Sequence, residues 1–381
     1  MAKANCTELF PILPKQPVGI ARMAAEGTHA DVGHLIEFKT LKVRSLLNWS
    51  VSKRRAWTAY SINPYRGCEF GCKYCYARYT HEFMAPKAPL PVTPPANVEQ
   101  GLAEIVLAGT QAQPDFRDPL LFERIIFLKQ NAAWLLEQEL KKIDPAVEIA
   151  LGTATDPYQP IERTARITRS LLEVFARKRG YRLGIVTKSR MIERDIDLLV
   201  EIARYNELVV HITITTQDAE LARLLEPRAP RPDLRFRAVS RLRKAGIRTG
   251  ILCCPLLPGI TDSPEAIDGM ARRAAEVRAC FMAANPLFLK PCSRPTYLSF
   301  VREHFPSLVT DYEKRFGNAD FASQEYCRRT SHIVGEACRR YGLRSRLMDT
   351  VLTGETGDAK KPPLREVPYA DSKAAQRPLF A

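Results

Sequence analysis

Between residues 57 and 289 short apolar runs alternate with amphipathic stretches, and no other feature restricts the possible folds as much. The apolar runs predict strands at Trp57–Ile62, Ile125–Lys129, Val147–Ala154, Leu183–Thr187, Leu208–Thr216, Thr249–Pro255 and Cys280–Leu289. Helical patterns lie between them at Ala132–Lys142, Arg166–Arg179, Glu193–Arg204, Asp218–Leu225, Pro232–Ala245 and Pro264–Val277. Apolar strands alternating with amphipathic helices indicate an α/β fold, a parallel sheet covered by helices. Right-handed crossovers repeated in one direction curl such a sheet toward a barrel. About six or seven strands favour a partial, open barrel, although strand number alone does not separate it from a doubly wound sheet.

The flanks differ in character. Residues 1–55 are irregular and basic around Lys39–Arg55, which suggests an N-terminal extension. The barrel pattern occupies residues 56–292, a helical, basic segment residues 293–352, and a polar, Pro-rich tail, expected to be disordered, residues 353–381. The segment APKAPLPVTPPAN after Met84 carries five prolines and must be a loop. At 381 residues with 45% hydrophobic content, the chain can bury a large core. No apolar run is long enough to span a bilayer, and Pro11, Pro14, Lys15 and Pro17 interrupt what could be a signal peptide. Ten cysteines without a paired framework fit a reducing cytoplasm.

Chemistry concentrates in NPYRGCEFGCKYCYAR, Asn63–Arg78, where Cys68, Cys72 and Cys75 stand in a Cys-x3-Cys-x2-Cys spacing. The loop follows a predicted strand and precedes a predicted helix. Thiolates select iron–sulfur clusters, zinc or copper(I). Three thiolates on a four-iron cluster leave one iron open, which suits chemistry on a bound ligand. Gly67 and Gly71 allow the loop to wrap so that the sulfurs converge. The alternative is zinc completed by His81 or Cys6, although the second Cys-x2-Cys pair usual for zinc is missing.

The loop, including the aromatic Tyr74 before the last cysteine, resembles the cluster motif of the radical S-adenosylmethionine (SAM) superfamily. Further along, LGTATDPYQPIE, IVTKS, ITITTQD, LLEPRAPRP and PLLPGITD resemble, in order, the spore photoproduct lyase-like branch, also described as DNA repair photolyase-like. The similarity spans about residues 55–290 and implies a partial (β/α)6 barrel of TIM type, with these motifs at the C-terminal strand ends. It implies a [4Fe-4S] cluster on Cys68, Cys72 and Cys75, whose open iron chelates S-adenosyl-L-methionine for reductive cleavage to a 5′-deoxyadenosyl radical. Tyr74, Thr155, Asp156, Lys188 and Thr213 are the implied cofactor contacts, with Thr215 a weaker companion; Tyr76 is placed near the reacting radical. Among these, Asp156 is an acceptor of the kind an ammonium requires, and Lys188 a lone cation able to meet a carboxylate. Asp156 equally suits an Asp-Pro turn. Glu226 and Arg228 fall at a further predicted strand–helix junction. His211 shares the strand face of Thr213 and reads as a core residue.

The resemblance implies a lyase-type enzyme of DNA repair, fed by a flavodoxin- or ferredoxin-type electron donor. The lyase proper has a further cysteine as hydrogen donor after the cluster loop, yet none lies here between Cys75 and Cys253. Cys253, Cys254, Cys280 and Cys292 are the later candidates. A nucleic-acid partner is consistent with 57 Lys and Arg against 42 Asp and Glu, a net charge of +15, and with the Arg-dense run Arg228–Arg248. Other substrates (tRNA, a peptide) and a non-catalytic metal-bearing nucleic-acid-binding protein are the alternatives. The final QRPLFA resembles a sliding-clamp motif across Gln376–Phe380, with Leu379 and Phe380 as anchors.

Overall fold

A computed structural model describes residues 19–25, 29–33, 36–49, 58–85 and 114–345. Its strands are β1 (His29–Gly33), β2 (Ile36–Thr40), β3 (Leu47–Trp49), β4 (Thr58–Ile62), β5 (Tyr65–Arg66), β6 (Ile125–Leu128), β7 (Glu148–Leu151), β8 (Arg182–Thr187), β9 (Glu207–Thr213), β10 (Thr249–Leu256), β11 (Phe281–Pro286) and β12 (Arg344–Ser345). The larger sheet has the order β12-β11-β10-β9-β8-β7-β4-β3, parallel throughout except for β3. From β4 to β11 spatial order follows chain order, so each crossover helix advances the sheet in one direction. The edge strands β3 and β12 do not pair with each other, which leaves an open (β/α)6 arc.

The interior of the arc is layered. Along β8 and β10, Ile185, Ile251 and Cys253 enter the core between sheet and helices. Residues of the opposite parity face inward, as period-two alternation requires. At the N-terminal end Arg182 reaches Glu148 (3.4 Å) and Glu207 (3.0 Å). Above this charged layer Ala150, Val209, Leu252, Phe281 and Ala283 form an apolar plug, with the His211 ring 5.3 Å from that of Phe281. Past the plug, toward the C-terminal strand ends, the arc is hollow.

Helix starts follow local chemistry: Asp218 accepts from Glu220 N and Leu221 N, and Ser263 caps a helix whose first residue is Pro264.

Three expectations change. Ile125–Lys129 is predicted as one of the alternating strands, but β6 joins a separate sheet of order β1-β2-β6-β5. Its apolar run is that of any buried strand, and its partners β2 and β5 are set by distant pairing. The N-terminal extension is not simply irregular, since β2 organises this second sheet and β3 borders the large one. The cluster loop leads into a 3-10 helix, Tyr76–Thr80, rather than an α-helix. Past the barrel, helices Arg294–His304, Val309–Phe316 and Gln324–Arg340 occupy the segment predicted helical. The tail 353–381, with Gln376–Phe380, lies outside the described residues, as does Cys6.

Candidate active site

The cysteine loop is held from several sides. Cys68 N donates to Phe122 O (2.9 Å), Lys73 N to Leu225 O (2.9 Å), and Ser293 Oγ to Cys75 O (2.8 Å). Arg78, 1% exposed, donates to Cys72 O (3.1 Å) and pairs with Glu123 at 2.6 Å. The segment after β7 clasps the loop. Thr155 Oγ1 donates to Gly67 O (2.6 Å), Glu69 N to Gln159 Oε1 (2.8 Å), and Ile161 N to Glu69 Oε1 (2.7 Å). Gly67 has φ +86°, and a Cβ there would meet Ile125 O and Phe122 O at 2.8 Å.

Above the loop lies a cavity of about 410 Å³, within the range of cofactor sites. Cys68, Cys72, Cys75, Tyr74, Tyr76, Thr155, Asp156, Lys188 and Thr213 all line it. They come from the cluster loop and the C-terminal ends of β7, β8 and β9, the face on which parallel barrels assemble sites. Burial, reinforced by Asp156, Cys72 and Cys75, pushes the Cys68 thiol well above its ordinary range. Burial also pushes Cys72 up to about 12, with Lys188 opposing. Thiolates so desolvated need a cation to bear their charge, and bound metal supplies one. Among the described residues no three His, Cys, Asp or Glu side chains are gathered as a single ion requires. A cluster that offers each thiolate its own iron needs only that the sulfurs share a wall, as these do.

Asp156 does more than face the cavity. Its carboxylate accepts from Thr187 Oγ1 (2.6 Å), Lys188 N (2.7 Å) and Tyr158 N (2.9 Å). The last bond is the Asp-Pro turn; the other two fix the end of β8. A carboxylate has about four acceptor positions, so room for one more donor remains. Burial raises the Asp156 pKa against these hydrogen bonds.

Behind Tyr74 runs a buried network. Its hydroxyl contacts Glu226 and Thr215 Oγ1 (2.9 Å), while Lys188 Nζ stands 5.7 Å from its ring centroid. Glu226 pairs with Arg235, which also donates to Thr213 O (3.1 Å). Burial works against the Glu226 carboxylate, yet Arg235 and Lys188 hold it below its ordinary range. Glu226 does not sit at a strand–helix junction as predicted; it closes helix Ala219–Leu225. Arg228 leaves the cavity wall, donating to Glu69 O.

Sequence reasoning missed Arg235, Asn285 and Phe288. It also left Cys254 among equals, although this alone of the four later cysteines lines the cavity among the described residues. Two-residue parity from Leu252 carries the signal, because Cys254 points inward where Cys253 points to the helices. His81, the suggested completion of a zinc site, does not line the cavity that the three cysteines line. Its Nε2 lies 3.0 Å from Ile125 O, and its ring packs among Phe116, Phe122 and Phe127.

The family model of the radical SAM superfamily matches residues 62–271. The chain belongs to that superfamily. Radical SAM proteins use a [4Fe-4S] cluster and S-adenosylmethionine, and the cavity fits both by its three thiols and its volume. An uncharacterized protein of Mycobacterium tuberculosis is 27% identical over 309 residues, covering 81% of this chain and 82% of that one. One of Methanocaldococcus jannaschii is 26% identical over 203 residues, 53% of this chain and 62% of that one. Among solved structures, a spore photoproduct lyase mutant superposes with TM-score 0.54 at 15% identity, over 81% of this chain and 80% of that one. Another mutant of that lyase, with bound AdoMet and dinucleoside spore photoproduct, gives 0.51 at 13% over the same shares. The radical SAM barrel is thus of the spore photoproduct lyase fold. No helix among the described residues is long and apolar enough to cross a membrane.

Proposed function

We propose that this radical SAM enzyme abstracts hydrogen from a nucleic-acid substrate, in a lyase-like reaction of DNA repair. A reduced [4Fe-4S] cluster in this site would supply the reductive cleavage of S-adenosylmethionine and with it the hydrogen-abstracting radical. Cys68, Cys72 and Cys75 would hold the cluster. Lys188 would meet the methionine carboxylate, and Asp156 would offer its remaining acceptor position to the ammonium. Thr155 and Thr213 shape the same wall, and Tyr74 is held against it by Glu226. Tyr76, whose hydroxyl contacts Thr153 O, closes the side nearest the mouth. Of the later cysteines, Cys254, on the cavity wall, would be the candidate for the hydrogen donor missing earlier in the chain.

The observation that carries the substrate class is a basic groove on the same face. Arg163 and Arg190 border a hollow of about 560 Å³, formed by the loops after β7 and β8 and the connection before helix Pro232–Lys244; its wall also carries Arg194, paired with Glu162 and Asp195, Arg228, paired with Glu123, and Glu193, paired with Arg241. Phe70 belongs to the walls of both hollow and cavity. The exposed Arg163 and Arg190, separated from the cavity by the shared wall at Phe70, suit a phosphodiester backbone whose target base leaves its stack. The dinucleoside spore photoproduct bound by the lyase of the same fold agrees with this reading.

The test is 5′-deoxyadenosine release by reconstituted, reduced protein beside a Cys72→Ala control. Stimulation by irradiated DNA, absent in the control, is the expected result. Stimulation by tRNA or peptide alone would move the enzyme to another substrate class.

A further inference from the structure

Beyond the cavity an aromatic wall continues to the surface. Tyr76 and Phe288 line the cavity, their ring centroids 5.1 Å apart and tilted by 41°. Phe288 in turn stacks on Phe321, 5.6 Å away with an interplanar angle of 23°. Phe321 is 50% exposed. Its turn is braced: Phe288 and Phe321 form an isolated antiparallel bridge, and Leu289 N donates to Asp320 O (2.8 Å). Arg294 donates to Gly317 O (3.0 Å) and to Asp320 Oδ1 (2.9 Å). A large aromatic ring held half in water by this much fixed backbone keeps apolar surface that collapse would otherwise hide.

We propose that Phe321, backed by Phe288, is a stacking platform for one nucleobase of a single-stranded or locally opened nucleic acid whose neighbouring residue enters the cavity. The proposal rests on the nucleic-acid reading above and adds the site that orders the strand at the mouth. A base offers a flat π-face that stacks offset on such a ring whatever its identity, and the preformed platform loses little freedom on binding. Charge favours this occupant over an apolar peptide. The half-exposed Lys290 ammonium lies beside the platform, 3.8 Å from Asp320, and the chain as a whole carries +15.

Fluorescence anisotropy of the reconstituted holoenzyme would compare a labelled oligothymidylate with an abasic strand of equal length. The expected result is a wild-type preference for the base-bearing strand. Phe321→Ala should weaken that strand roughly tenfold while leaving the abasic strand unchanged, and Phe321→Trp should retain the preference. Thermal melting and cluster absorbance of each variant report folding independently. Equal loss on both strands, no loss on either, or full binding by Phe321→Leu would overturn the platform, since Leu keeps apolar bulk without a π-face. Wild-type binding without preference for bases would remove the platform alone. Failure of the wild type to bind either strand would remove the nucleic-acid reading, and the platform with it.

Discussion

At the scale of single residues, the decisive contrast is between two titratable groups with opposite duties. Lys188 ends β8 with its backbone pinned by Asp156 and its ammonium against the cavity, so removing the side chain should leave the scaffold intact. Lys188→Ala is expected to raise the S-adenosylmethionine dissociation constant roughly tenfold or more, the usual cost of a lost charge-assisted contact. Iron content should stay unchanged, and equilibrium dialysis would measure the loss; unaltered affinity would take Lys188 out of the cofactor site. His81 is structural. Burial lowers its pKa from 6.5 to about 3, and its ring stays neutral among three phenylalanines. Between those values the unfolded chain binds a proton that the folded chain refuses, so stability falls as pH drops through this window. One such group contributes a slope of up to about 1.4 kcal/mol per pH unit. His81→Gln should therefore lower stability at neutral pH but flatten the acid limb of a denaturant-stability profile between pH 6 and pH 4, on the order of one group's worth. An equally steep limb would assign the acid sensitivity elsewhere.

At the scale of elements, the cluster loop is shaped as much by what surrounds it as by its cysteines. Gly67 occupies a positive-φ position against two carbonyls, and the neighbouring Cys68 N is bonded to one of them, Phe122 O. Gly67→Ala should displace the loop, cost about 1–3 kcal/mol and reduce iron per chain. Gly180→Ala serves as control. It also has positive φ (+81°), but its Cβ would meet only Pro145 Cβ at 3.9 Å, so iron loading should stay complete. Comparable iron loss in both would mean that general backbone strain, not loop placement, sets cluster assembly. This loop was legible in the sequence because its cysteines, glycines and spacing are local. The strands β7 to β11 were legible as apolar runs bounded by turn chemistry, whereas parity held only for Thr213: Thr215 lies past the end of β9 and lines a neighbouring hollow instead of the cavity. What depends on remote pairing was not: β6 has the composition of a barrel strand but finds β2 and β5, and Arg235 reaches Glu226 from a run that reads only as Arg-dense. The platform needed Phe288 and Phe321 to meet across two helices, a contact that no window of sequence contains.

At the scale of the whole molecule, the question is whether the charge of +15 acts as a diffuse field or through the mouth. A diffuse field speeds encounter, whereas phosphates seated on particular side chains release counterions in proportion to their number. For single strands the logarithm of affinity falls with the logarithm of salt concentration at a slope of about −0.7 per contact. Arg163 and Arg190 are exposed on the groove, while Arg272 and Arg329 are exposed on helices Pro264–Glu276 and Gln324–Arg340. All four contribute equally to net charge, so paired substitutions separate the two modes. Arg163→Gln with Arg190→Gln should flatten the slope by about 1.4, whereas Arg272→Gln with Arg329→Gln should leave it near the wild-type value. Anisotropy titrations of an oligonucleotide across a salt series would read both. If the outer pair flattened the slope and the groove pair did not, the nucleic acid would follow another face. The barrel mouth would then serve a substrate that needs no phosphate track.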